Sequence, residues 1–126
     1  MTPEVIEAVD EVRRTFPEHR VEVEEEPQGG AYVIVHDLHI GGAFEPAMTW
    51  IGFLITFQYP EADVYPHFTA SVLRRIDGAA LGEGITVGTW RDRPAVQVSR
   101  RSTRWDAARD TAAGKLLKVL EWMRTR

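Results

Sequence analysis

The chain contains no cysteine. Without a thiol there is no disulfide, no thiolate metal site and no thiol nucleophile. The imidazoles come next. His36 and His39 flank Asp37, a spacing that invites a metal ion, but positions 36 and 39 of one strand point to opposite faces. Two histidines without a third ligand do not make a zinc site. They read as polar positions at a strand end, and no metal or cofactor is expected. Arg74, Arg75, Arg91, Arg93, Arg100, Arg101 and Arg104 crowd the second half, with Trp90 and Trp105 among them. Basic and aromatic residues interleaved in this way bind single-stranded nucleic acid by charge and stacking. Against that, the pI near 5.5 is wrong for a dedicated nucleic-acid domain and both tryptophans fit a core, so a protein partner is the expectation.

The elements that must position these residues have to fit one domain, residues 1–126, because a chain this short fills one core. Four Trp, five Phe and three Tyr within an apolar fraction of 44% are enough to fill it. There is no cationic-then-apolar leader and no apolar run near the roughly eighteen residues of a membrane span. The expectation is a soluble, cytoplasmic protein that does not enter a membrane. Charge is unevenly spread: residues 1–66 hold 3 Arg/Lys against 13 Asp/Glu, and residues 67–126 hold 12 against 6. Either two faces meet different partners, or the halves neutralise each other across the fold.

Thr2-Pro3-Glu4 starts a helix, with a hydroxyl cap, proline at the first helical position and an acid in the first turn. Val5, Ile6, Val9, Val12 and Phe16 give it an apolar stripe, and Pro17 ends it. From Arg20 the period changes to two, with Val21 and Val23 opposite Glu22 and Glu24, as in a half-buried strand. Pro27 to Gly30 is a turn, Ala31 to Asp37 the returning strand, and Leu38 to Ala47 a loop. After Ile76, Asp77-Gly78, Gly82, Gly84 and Gly88 break the pattern, so irregular backbone is expected, with short extended pieces at Ile85 and Val87 and at Ala95, Val96 and Val98. Thr103 to Asp106 prepares a last helix carrying Ala107, Ala108, Ala112, Leu116, Leu117, Val119, Leu120 and Trp122. Lys115, Lys118, Arg124 and Arg126 suit the negative end of its dipole.

Between these halves, Ile51 to Phe57 is a buried strand by its β-branched and aromatic content. Tyr59-Pro60 ends it, Pro66 brackets the loop that follows, and Phe68 to Ile76 is a further strand. This unit resembles the Tyr-Pro-x-x-x-Pro segment of the ubiquitin-conjugating (E2) and RWD superfamily, with a loop longer by a residue or two. A second stretch, Gln97 to Trp105 followed by Asp110 and the LLKVL helix, is similar to the Trp-containing segment of prokaryotic E2-related families. Together the matches span about residues 2–124. The resemblance implies an α+β, E2/UBC-like fold: an N-terminal helix, a four-stranded antiparallel meander and a C-terminal helix. Tyr59, Pro60 and Pro66 are then structural, with Tyr59 at least partly buried and its hydroxyl bonded to the loop it starts.

The resemblance also implies partners, a ubiquitin-like protein and its E1-like activating enzyme. Active family members carry the ubiquitin-like protein as a thioester on a cysteine a few residues before the Trp, and here that cysteine is missing. Three readings follow: an E2-like binding protein without thioester chemistry, a cysteine-free transferase using an oxyester, and an RWD-like interaction module unrelated to conjugation. The ester needs a hydroxyl. Ser99 falls nearest the expected place, where Arg100 and Arg101 would stabilise an oxyanion, although a lone serine lacks the adjacent base that acyl transfer needs. Thr86 sits in a Gly-Ile-Thr-Val context like the Gly-x-Ile-Cys of active members but far from Trp105. His67, after Pro66, stands as a general base or as a structural hydrogen-bonding residue.

Overall fold

Thr2 starts the first helix through its side chain: Oγ1 accepts the Val5 N–H at 3.1 Å, and Pro3 takes the position where a missing N–H is no loss. The computed structural model describes all 126 residues, and this helix, α1, spans Pro3–Thr15. It buries Val5, Ala8, Val9 and Val12. Ile6, expected in the stripe, lies off it and is 45% exposed.

Strands β1 (Val21–Glu25) and β2 (Ala31–His39) form the first antiparallel pair. β2 outruns its expected end at Asp37 because the register slips between Val35 and Leu38, with Asp37 at φ 58°, and pairing then resumes to His39. A bulge of this kind absorbs a residue and lets a strand continue. The expected 38–47 loop is therefore shorter and contains β3 (Phe44–Glu45). β4 (Met48–Ile55) begins three residues before the expected Ile51 and ends two before Phe57. β5 (His67–Ala70) stops where the Leu73 N–H turns back to the Ala70 carbonyl at 3.2 Å. The rest of the expected 68–76 strand is β6 (Arg74–Arg75), which pairs with β3 in a separate ribbon.

The stretch expected to be irregular holds a hairpin, β7 (Ile85–Trp90) and β8 (Arg93–Val98). Its two-residue turn, Arg91-Asp92, has φ values of 49° and 69°. The sheet order is β1-β2-β4-β5-β8-β7 with every pair antiparallel. The fold is thus α+β with a helix at each end. The first four strands in that order are the expected meander, and the hairpin extends it to six. The last helix, α2 (Ala112–Arg124), begins later than Thr103–Asp106. Asp106 bonds the Ala108 N–H at 2.9 Å, a local side-chain bond that competes with helix. Thr111 is the cap instead, its Oγ1 accepting the Gly114 N–H at 3.0 Å.

Cross-strand pairing sorts the side chains into rows. One runs Val23, Val33, Phe53, His67, Val98, Ile85. It faces α1 and α2, and the core fills with Val5, Val9, Val12, Leu116, Val119, Leu120 and Met123. The neighbouring row is Glu22, Ile34, Gly52, Phe68, Gln97, Thr86, on the face that no helix covers. There the hairpin tip arches back over the sheet. Trp90 packs against Phe68 and Tyr32 with ring centroids 5.2 and 5.8 Å apart. Arg91 stacks over Tyr32 and reaches Glu24 of β1 at 2.5 Å.

Candidate functional site

The proline-bracketed loop and the 99–105 stretch, forty residues apart in sequence, clasp each other. Trp105 Nε1 donates to the Pro60 carbonyl at 2.7 Å and its ring lies edge-on to Tyr59. Arg101 stacks on Tyr65, the residue before Pro66, at 4.6 Å. Tyr59 is buried, and burial pushes its phenol pKa up. Its hydroxyl does not bond the loop it starts. It accepts the Ala112 N–H at 3.2 Å and so ties that loop to the first residue of α2, whose N–H groups have no partner within the helix.

At the centre of the clasp lies a cluster not singled out from the sequence. Lys115 Nζ, almost sealed from solvent, donates to both oxygens of Asp63 at 3.0 Å and to Ser102 Oγ at 2.7 Å. Asp63 in turn accepts from the Ser102 N–H at 2.8 Å and hydroxyl at 3.1 Å. A serine–lysine dyad needs a neutral amine to take the hydroxyl proton. Here the amine is held by both carboxylate oxygens as an ion pair, and the cluster acts as a clamp. The sequence did hold a signal for it: Lys115 falls three residues after Ala112 and four before Val119, within the apolar stripe of α2. It lies in the first turn of that helix, so the expected pairing with the negative end of the dipole does not apply to it.

The candidate nucleophiles lie apart from this clamp. Ser99 follows β8; its N–H bonds the Gly84 carbonyl at 2.7 Å, and its Oγ accepts from the Gln97 amide at 3.1 Å. Thr86 sits exposed on the edge strand β7, opposite Gln97. Neither hydroxyl has a hydrogen bond to a histidine, carboxylate or lysine. Arg100 and Arg101, expected beside Ser99 as oxyanion donors, stack on Trp122 and Tyr65. His67 is fully buried, and neither ring nitrogen has a hydrogen-bond partner. Burial lowers its pKa to about 3, with the Lys115 charge adding to the effect and the Asp63 charge opposing it. A ring sealed from solvent and bonded to nothing has no route to take a substrate proton, so neither role expected of His67 describes its surroundings. His36 Nε2 lies 3.2 Å from a Glu22 oxygen on β1 without forming a hydrogen bond, and His39 Nδ1 accepts the Gly41 N–H at 3.3 Å, so the two rings face different neighbours.

The uncovered sheet face carries the largest hollow of those described. Tyr32, Ile34, Trp50, Trp90 and Pro94 line a cleft of about 800 Å³ beneath the hairpin arch, with Glu22, Glu24, Arg91 and Arg93 at its margin. The rings of Trp50 and Trp90 pack over Gly52, where a Cβ would stand 3.1 Å from each. No family model, curated protein or solved structure matches this chain.

Proposed function

We propose that this chain is an E2-like binding module of a bacterial-type ubiquitin-like conjugation pathway, holding a ubiquitin-like protein or its E1-like activating enzyme without thioester chemistry. The observation that carries this reading is the uncovered sheet face. Tyr32, Ile34, Trp50, Leu54 and Phe68 stand half-buried there with no helix over them. Aromatic residues with a charged margin are the composition of a protein-binding patch. The surface supports a protein partner; the Tyr59-Pro60, Pro66 and Trp105 motifs, packed together in one clasp, supply the resemblance that names it. An oxyester on Ser99 lacks comparable support, because its Oγ is engaged by Gln97 and no base adjoins it.

Isothermal titration against a ubiquitin-like protein and an E1-like enzyme from the same genome tests the reading. Binding to at least one is expected, and Ile34→Asp or Trp50→Ala should weaken it at least tenfold while the circular dichroism spectrum is retained. Unchanged binding in both variants would move the interface off the sheet. No binding to either protein would refute the reading itself.

A further inference from the structure

Three arginines that no carboxylate answers, Arg100, Arg101 and Arg104, stand together between the 99–105 loop and the outer side of α2, around a hollow of about 310 Å³. Arg100, Arg101, Arg104 and Lys118 line it, with Trp122 and one carboxylate, Asp110. Lys118 lies 3.6 Å from Asp110, and Lys115 beneath is paired with Asp63. The three arginines have no carboxylate within 4.0 Å. Like charges brought together repel, so their accumulation around one concave surface calls for a counter-charge.

The donors are also held ready. Arg100 stacks on Trp122 at 4.6 Å and Arg101 on Tyr65 at 4.6 Å. Stacking uses the face of a guanidinium and leaves its in-plane N–H fork free. Of the backbone N–H groups from Arg100 to Trp105, only that of Ser102 is bonded within the chain. That bond belongs to the Asp63–Ser102–Lys115 clamp, which fixes the loop and with it the open donors on either side.

We infer that this hollow binds a dianionic phosphate group, either as a free inorganic ion or as the terminal phosphate of a nucleotide. A phosphate monoester carries about −1.5 to −2 charge at neutral pH and three strong acceptor oxygens, which matches several converging guanidiniums. A peptide carboxylate, with one charge and two oxygens, needs only one of them. A nucleic-acid backbone offers one charge per phosphate and would be held through counterion release over a longer track. The inference uses a different surface from the sheet face, so its failure leaves the protein-binding reading standing.

Calorimetric titration of the full chain with pyrophosphate, ADP and AMP, with the Trp122 indole N–H followed by NMR, tests it. Saturable binding of all three, tighter than about 1 mM, is expected, since each presents a terminal phosphate. Arg101→Ala and Arg104→Ala should each weaken it roughly tenfold, the loss of one charge-assisted hydrogen bond. Arg109→Ala, whose side chain points to Asp106 instead, should leave it unchanged. All three positions are exposed, and thermal melts confirm that the variants fold. Equal affinities for pyrophosphate and ADP would assign recognition to phosphate alone, and tighter ADP would add a contact to the nucleoside; either supports the site. No saturable response, a response that chloride reproduces at equal ionic strength, or equal weakening by Arg109→Ala would overturn it.

Discussion

His67 makes the stability of this fold depend on pH. Its row partners Phe53 and Val98 press it into the core, and burial lowers its pKa from an ordinary 6.5 to about 3. Lys115 works in the same direction and Asp63 against it. The sign follows from proton counting. Between about pH 3 and 6.5 the unfolded chain protonates this ring and the folded one does not, so falling pH favours unfolding. Stability attributable to His67 is complete above about pH 6.5 and falls by about 1.4 kcal/mol per pH unit below it. Down to pH 4.5 that amounts to roughly 3 kcal/mol, a large share of the 5–15 kcal/mol typical of a domain. Urea unfolding at pH 7.5, 6.5, 5.5 and 4.5 measures it, with His67→Leu as the reference. The carboxylates whose pKa values are lowered, Glu22, Glu24, Asp77 and Asp110, titrate alike in both proteins and cancel. The variant should lack the extra slope between pH 6.5 and 4.5. It should be no less stable than the parent at pH 7.5, since it loses two buried nitrogens without partners. Equal slopes in the two proteins would refute the reasoning.

Three further substitutions address the clasp and the sheet. Lys115→Met leaves the Asp63 carboxylate without its cation and should cost about 3 kcal/mol in urea unfolding, with part of the loss recovered by adding Asp63→Asn. Tyr59→Phe strips the Ala112 N–H of its acceptor; a loss of about 1–2 kcal/mol in thermal unfolding is expected, with partner affinity unchanged. Gly30→Ala would place a Cβ 2.4 Å from the Ile55 carbonyl oxygen, whereas Gly42→Ala meets nothing within 4 Å. The first should therefore lower the guanidinium midpoint clearly and the second hardly at all.

The parts of this fold that were legible in the sequence are those in which local chemistry and tertiary packing agree. Thr2-Pro3 both caps and starts α1, and the period-two valines of β1 and β2 are also the residues that meet the helices. The β7–β8 hairpin was hidden because its turn is Arg91-Asp92. A two-residue turn with both φ values positive is usually announced by Asn-Gly or Asp-Gly, and Gly88 and Pro94 interrupt the flanking runs. The contacts of Arg91 with Tyr32 and Glu24, on strands remote in sequence, hold that tip, and no local pattern records them. The start of α2 was placed early because alanines at 107 and 108 favour helix, while the Asp106 side chain draws the same backbone into a turn.

At the candidate site, Tyr59, Pro60, Pro66, Arg101 and Trp105 were legible as motifs, and the structure brings them into one clasp. The bonds that make the clasp were not. Asp63 reads as one of two loop carboxylates, and only the fold sets it against Lys115 and Ser102. Distance along the chain from Trp105 points to Ser99, but that distance is blind to side-chain direction. Its hydroxyl turns to Gln97, whereas Ser102, three residues on, enters the buried network.

We propose that this chain binds a ubiquitin-like protein or its activating enzyme and does not carry an acyl group. Incubating it with the E1-like enzyme, ATP and the ubiquitin-like protein, then resolving the products with and without thiol and hydroxide, measures this directly. A non-covalent complex on a sizing column and no covalent adduct on this chain are expected. A thiol-resistant, hydroxide-labile adduct that disappears in Ser99→Ala and persists in Thr86→Ala would contradict it.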